Sequence, residues 1–439
     1  MSPLSLSPMS QPAPELEDVE DAIVDGDVAY TRGTAQAALR HRNFLIIYLG
    51  TFASNIGTWM QNVVLGAYAL KLTGSPSFVG IVFFAQLGPL LFLSTTGGLL
   101  ADILDRRRLL VLAQFAQMVL SFALAALVLA DEPSRVALVA VVFAIGIANS
   151  LGAPGLAAIL PTLVPREDLQ GAVALQSVQM NLSRVIGPAI GGILYANFDA
   201  APVFAINALT YAFAIVGLVW ATYPRRVDAH VEERGLRRLL SGMRIVRRDP
   251  LLTQIIVTLF SFSFFSLAFV GLMPVTAEEN LGMDPKSTQY GILYACFGLG
   301  AALGAITVGT AFAQWSKARL LRPGFLAFAV VLAVFALLDV PGPAYPIAGL
   351  LGYVYFIVIT ALSTILQEEL EESTRGRVMA LWIMGFGGTV PLGVLVGGWL
   401  ENFTSITAVL LAGSIGALVL AVWSAPQVLI RKGAHDART

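Results

Sequence analysis

Long apolar runs recur along the chain and alternate with short polar breaks. They fall at roughly 43–71, 77–100, 109–130, 135–160, 171–197 and 201–222, and again at roughly 251–280, 288–314, 322–340, 344–368, 377–400 and 404–430. A helix needs about 20 apolar residues to cross a bilayer. The pattern therefore predicts an all-α membrane protein of twelve transmembrane helices, spans 1 to 12. A polar stretch at 223–250 separates six spans from six. The expected organisation is a disordered acidic tail at 1–40, an N-terminal six-helix half at 41–222, a linker at 223–250, a C-terminal half at 251–430 and a short tail at 431–439.

Charge orients this arrangement. An even number of spans puts both termini on one side. Of the 27 basic residues, 23 fall on that side: the N-terminal segment, the 2–3, 4–5, 6–7, 8–9 and 10–11 loops and the C-terminus. The opposite face has only Lys71, Arg135 and Lys286, and Arg184 lies inside span 5. The positive-inside rule makes the basic face cytoplasmic, with both termini there. A missed span would scramble this asymmetry.

Composition narrows the function. Hydrophobic residues make up 56% of the chain and charged residues 13%, against about 25% charged in a typical soluble domain. Soluble enzymes and disordered proteins are excluded. The net charge of −1 gives no reason to expect a nucleic-acid partner. A single cysteine, Cys296, and three histidines, His41, His230 and His435, outside the spans leave no metal cluster and imply no cofactor. No catalytic dyad is visible in the spans, so an enzyme is not expected. Residues 1–30 hold seven acidic and no basic residues and lack the apolar run of a cleavable signal.

The two halves repeat. At an offset of 211, Gly80 falls on Gly291, Gly98 on Gly309, Arg106 on Lys317 and Arg108 on Arg319. At an offset of 206, Gly187, Gly191 and Gly192 fall on Gly393, Gly397 and Gly398. The turn Thr73-Gly74-Ser75-Pro76 has a counterpart in Gly282-Met283-Asp284-Pro285. Two six-span repeats around a midplane site are the construction of a secondary transporter.

Specific motifs add a family resemblance. Gly98-Leu99-Leu100-Ala101-Asp102-Ile103-Leu104-Asp105-Arg106-Arg107-Arg108 resembles the signature after span 2 of the major facilitator superfamily, with Ile103 in place of a basic residue and Asp105 in place of a glycine. Ser54-Asn55-Ile56-Gly57-Thr58-Trp59-Met60-Gln61, Leu163-Val164-Pro165-Arg166-Glu167-Asp168-Leu169 and Arg375-Gly376-Arg377-Val378-Met379 are similar to one branch of it. That branch is the transmembrane secretion effector family, which includes siderophore exporters and is related to macrolide efflux proteins. The resemblance spans about 40–425 and implies proton-driven export of a small molecule across the cytoplasmic (inner) membrane by a monomer. Gly187-Pro188-Ala189-Ile190-Gly191-Gly192 resembles the span-5 motif of antiporters in this superfamily, where span 5 borders the other half. Gating candidates are accordingly Gly98, Asp102, Arg106, Arg107, Gly187, Pro188, Gly191, Gly192, Arg375 and Arg377. Asp102 is expected to meet the start of span 11 when the inner side closes.

Polar residues inside the spans give the substrate candidates. Arg184 lies near mid-bilayer, where a charge is expensive and faces a cavity or partner. Three readings stand for it: contact with an anionic substrate group, a gate ion pair, or a brace to carbonyls and amides such as Asn181. Asn55, Thr58 and Asn62 fall on one face of span 1 by helical spacing, and Thr360, Thr364 and Gln367 follow the same logic in span 10. Asn149 is a further candidate. Each of these also fits helix–helix glue. Trp59, Tyr290, Tyr294, Tyr353 and Trp382 could stack on a ring-bearing substrate. No carboxylate lies at the centre of a span, so the proton-coupling candidates are interfacial: Glu278 and Glu279 at the outer end of span 7, and Glu368 and Glu369 at the inner end of span 10. The reading is a proton-coupled exporter of a small amphipathic molecule of the siderophore or drug class. The alternatives are a lysophospholipid-type flippase of the same fold and a non-transporting scaffold or sensor.

Overall fold

The computed structural model describes residues 32–103, 105–221 and 236–423; most of the acidic tail, part of the linker and residues 424–439 lie outside the described residues. The described residues are helical, with no strand among them. In the N-terminal half the long helices are α1 Arg42–Thr73, α2 Pro76–Ile103, α3 Arg106–Leu127, α4 Arg135–Ile159, α5 Leu169–Phe198 and α6 Ala200–Trp220. The C-terminal half has α7 Pro250–Ser261 and its continuation, α8 Thr288–Gly309, α9 Lys317–Ala336, α10 Pro341–Glu369, α11 Glu372–Glu401 and α12 Ile406–Trp423. Ten of these are long and apolar enough to cross a membrane. The two below that threshold are α1 and α5, the helices that carry Asn55, Gln61, Asn62, Gln176, Gln179 and Arg184.

Local chemistry sets the boundaries. α1 ends at Gly74, which takes a left-handed φ of 58° and donates its N–H to Leu70 O at 2.7 Å. Gly282 in the repeated turn has a φ of 60°. Both positions need a backbone that other residues resist. Asp105, which replaces the glycine of the family signature, caps α3: its carboxylate accepts from Arg108 N–H at 2.9 Å.

Two segments depart from expectation. The sequence predicts a tail running to residue 40, but Ala35–Arg40 forms a short helix capped by Thr34. Asp168 holds the chain there, accepting from Gly33 N–H at 3.0 Å and pairing with His41 Nε2 at 2.8 Å. Helical structure is therefore already present before residue 40. The helix expected across 251–280 is interrupted. A π turn spans Phe262–Ser266, where Leu267 N–H reaches back to Phe262 O, and short helices Ala268–Gly271 and Met273–Glu279 follow. Pro274, at the start of the last piece, has no N–H to continue the ladder. Within the linker, an amphipathic helix Leu236–Arg248 packs on the start of α11, with Arg377 Nη1 donating to Ser241 Oγ at 3.0 Å.

The packing reproduces the sequence repeat. In the N-terminal half α1 packs on α5 and α6, α2 on α4, and α3 on α4 and α6. In the C-terminal half the matching contacts are α7 with α11 and α12, α8 with α10, and α9 with α10 and α12. Between the halves α5 packs on α8 and α2 on α11. Adding six to each helix number exchanges these two inter-half contacts, as a pseudo-twofold axis requires.

Candidate functional site

The two glycine triplets singled out by the repeat occupy equivalent places. A Cβ on Gly187 would meet Trp59 Cβ at 2.5 Å, and one on Gly191 would meet Met60 Cα at 3.1 Å, both in α1. One on Gly192 would sit 2.5 Å from Gly291 Cα in α8. In the other half, Gly393 lies against Phe264 O and Gly397 against Leu272, both in the α7 segment, and Gly398 lies against Pro76 O. The fourth repeat glycine, Gly80, lies against Leu395 Cα, 3.0 Å from where its Cβ would be. Each motif thus packs its own first helix through two glycines and the opposite half through the third. Pro188 is buried in α5 between these contacts.

At the end expected to face outward, polar side chains join the halves. Lys71 pairs with Asp284 at 3.6 Å, and Lys286 pairs with Asp199 while lying 5.8 Å from the centre of the Tyr195 ring. Ser77 Oγ donates to Gly398 O at 3.0 Å, and Asn402 Nδ2 donates to Ser77 Oγ. Two of the three basic residues expected on that face are spent on inter-half ion pairs. Asp199 and Asp284 were not anticipated as their partners. The signal was available, since a face with so few cations places each of them conspicuously.

Arg184 occupies the middle of the α5–α8 contact. Its carbonyl oxygen is the atom that a Cβ on Gly298 of α8 would strike. Its guanidinium carbon lies 5.4 Å from the centre of the Trp59 ring in α1 and 4.8 Å from that of Phe356 in α10. Tyr294 and Tyr355 are close enough to act on it electrostatically. Phe356 belongs to an aromatic network in which Tyr355 stacks on Phe297 at 6.0 Å, and Phe297 in turn meets Tyr294 and Phe269. Among the described residues Arg184 makes no ion pair or hydrogen bond through its side chain. Asn181, expected as a brace, donates instead to Ser177 O at 2.9 Å, and its Oδ1 is buried without a partner among the described residues.

The other candidates divide. Thr58 meets Tyr211 OH of α6 at 3.2 Å, and Asn62 accepts from Gln86 of α2. The expected shared face of α1 is thus split. At 100° per residue Thr58 is turned about 60° from Asn55, enough to address a different neighbour. Asn55 and Asn149 are half-buried and make no side-chain hydrogen bond among the described residues. In α10, Thr360 and Thr364 are half-buried one and two turns from Phe356, with Thr364 Oγ1 donating to Thr360 O at 2.8 Å. Gln367 is exposed and bonds Ser363. Phe356 escaped sequence reasoning, although its spacing to Thr360 and Thr364 puts it on the same stripe.

The gating and coupling candidates lie nearer the ends. Arg107 donates to Val219 O of α6, Arg375 is exposed and Arg377 bonds Ser241. The side chains of Asp102 and Arg106, and the packing around Gly98, lie outside the described residues. Glu278, Glu279, Glu368 and Glu369 are exposed. Glu279 sits beside the carboxyl groups of Glu401 and Glu278.

Comparison with known proteins agrees with this geometry. The chain is 28% identical to the enterobactin exporter EntS of Escherichia coli O1:K1 over 396 residues, covering 87% of this chain and 91% of the relative. It is also 28% identical to that of Salmonella typhimurium strain LT2, covering 87% and 92%. Among solved structures, a mutant of the nucleoside transporter NupG aligns with a TM-score of 0.72 at 13% identity, covering 87% of this chain and 98% of that one. A bacterial homologue of the lysosomal transporter Spinster, inward-facing and unoccupied, aligns with a TM-score of 0.62 at 15% identity, covering 87% and 94%. These structural likenesses carry the fold alone. The model of the transmembrane secretion effector family matches residues 33–438, and the chain belongs to that family of membrane transporters.

Proposed function

We propose that this chain is a secondary active exporter of a small amphipathic molecule, of the siderophore or drug class, working by alternating access in the cytoplasmic membrane. All of α1–α12 cross the bilayer on this reading, with both termini in the cytoplasm. The observation that carries it is the placement of Arg184 at the junction of two pseudo-symmetric halves, with the outer end above it closed by ion pairs and glycine contacts. An expensive charge at a mid-membrane interface suits a carrier and has no use in a passive scaffold. The flippase alternative calls for a lateral opening between helices. The backbone approach of α2 and α11 at Gly80 and Gly398 favours the exporter instead. The enterobactin exporters among the relatives support outward transport of an organic molecule.

Inward proton flow is the driving step on this reading. Glu279 is the favoured carrier among the candidates, because partial burial first, and the neighbouring carboxylates of Glu401 and Glu278 second, make it easier to protonate. The inner gate is assigned to Asp102 and the start of α11. Everted vesicles with an acid interior should accumulate enterobactin or an amphipathic drug from a panel of dyes and macrolides, and a protonophore should abolish the uptake. Uptake indifferent to the protonophore refutes proton coupling. Uptake of none of the panel refutes export of this class.

A further inference from the structure

Three aromatic-bearing helices and one arginine meet where the halves join, and their chemistry restricts what can bind there. Trp59 belongs to α1, Arg184 to α5, Tyr294 to α8 and Phe356 to α10, so the cluster draws on both halves. A ring face attracts the cation but offers no lone pair to its N–H groups. The guanidinium has five N–H donors in one plane, and it stays charged at any accessible pH. Among the described residues no carboxylate and no hydrogen-bond acceptor engages these donors. The residue as a whole is half-buried, with its guanidinium beside the Trp59 and Phe356 rings. A charge held at this depth without a counter-ion is costly. The missing partner is an anion that the protein does not supply.

The surroundings set the rest of the ligand. Phe356, Tyr355, Phe297 and Tyr294 form a continuous aromatic wall beside the guanidinium. Tyr294, Phe297 and Tyr355 are packed in the core, so the half-buried rings of Phe356 and Trp59 are the ones a flat apolar ring would meet. Asn55, with no side-chain partner among the described residues, lies one turn from Trp59 on α1, and Asn181, with its unpartnered Oδ1, lies one turn from Arg184 on α5.

We propose that Arg184, flanked by Trp59 and Phe356, is the recognition point for a substrate that carries an anionic group on a flat aromatic ring. The inference rests on the exporter reading for its physiological meaning but is tested by binding alone. The probes are 2-naphthoate, which has charge and ring, 2-naphthamide, which keeps the ring and loses the charge, and octanoate, which keeps the charge and loses the ring. Binding is measured on the full chain in detergent by calorimetry. Wild type should bind 2-naphthoate roughly ten- to a hundredfold more tightly than 2-naphthamide, the range of one or two charge-assisted hydrogen bonds. Octanoate should bind more weakly than 2-naphthoate. Arg184→Gln should erase the preference for the anion, and Arg184→Lys should retain part of it because the planar fork is lost. An unchanged thermal unfolding midpoint in detergent reports that each variant is folded. Equal affinity for naphthoate and naphthamide, a preference that survives Arg184→Gln, or no binding of 2-naphthoate above its partition into detergent would each overturn the assignment. Arg184-dependent binding in a protein that fails the vesicle experiment would overturn the exporter reading and leave the anion site standing.

Discussion

The two halves share one plan and are glued by different chemistry. In the N-terminal half, hydrogen bonds link helix to helix: Gln179 to Thr51 at 3.0 Å, Asn207 to Gln61 at 2.8 Å, Thr58 to Tyr211 at 3.2 Å, and Gln86 to Asn62. In the C-terminal half the interhelical hydrogen bonds mostly reach backbone carbonyls, as Ser266 to Gly413 O at 2.8 Å and Ser414 to Ala329 O at 2.7 Å, and rings add to them. Phe262 meets Phe325 at 5.1 Å, Phe328 at 4.9 Å and Tyr355 at 6.4 Å, and Phe269 meets Phe297 at 5.5 Å. The difference explains why α1 and α5 are the two long helices below the apolarity needed to cross a membrane. Thr51 and Gln179 pair with each other, and Thr58, Gln61 and Asn62 with α2 and α6. Arg184 belongs to the half whose helices pair side chain with side chain and reaches the aromatic rings of the other half.

The largest effect expected from breaking this contrast is in the C-terminal half. Phe262 is fully buried in the π turn, among three rings. Phe262→Ala should destabilise the protein by about 3 kcal/mol, the low end for such a truncation, because the unfolded helix stays in lipid and only packing is lost. Thermal unfolding in detergent measures it. A loss below about 1 kcal/mol would mean that the aromatic core is slack.

A smaller effect is expected in the N-terminal half. Asn207→Leu leaves Gln61 without its partner inside the helix packing, at a cost of about 1 kcal/mol, since interhelical hydrogen bonds in membranes contribute little more than that. The double replacement Gln61→Leu with Asn207→Leu should recover most of the loss, because no orphaned polar group remains. A double variant less stable than the single one would show that the polar glue specifies the packing of α1 on α6 rather than merely satisfying itself.

The same contrast decides what could be read from the chain. The glycine repeats were legible because a backbone contact as close as that of Gly192 on Gly291 admits no side chain, and because two copies carry the same constraint. The helices were legible from long apolar runs, and so was the expense of Arg184. The partner of Arg184 was not. Phe356 lies 172 positions away in the other half, and only the crossing of the halves brings it near. The interruption of α7 was equally hidden, since Phe262–Ser266 contains no proline or glycine. The partner of Thr58 was hidden too, since Tyr211 lies 153 positions away on α6.

The smallest effect concerns an anchor that the two halves build differently, since a helix packs on the start of α5 through Asp168 and on the start of α11 through Arg377 and Ser241. Asp168 precedes α5, and at the repeat offset of 206 its counterpart is Thr374, before most of α11. Thr374 bonds only the local Glu371 O at 3.1 Å. Asp168 instead ties the N-terminal helix Ala35–Arg40 to α5 through His41 and Gly33. The hydrogen bond with His41 first, and the Gly33 N–H second, hold its carboxyl below the usual carboxylate range. A depressed carboxylate pKa stabilises the folded anchor at pH values above the unfolded value of about 3.9, and the contribution is lost as pH falls through the folded value. Asp168→Asn should therefore speed hydrogen exchange over residues 33–41 at neutral pH, and the gap from wild type should close below about pH 4. Transport should be little changed, since the anchor touches neither Arg184 nor the inter-half contacts. Equal exchange in the two proteins at neutral pH would show that the helix is held by its apolar contacts alone, and that the halves differ less at this end than their side chains suggest.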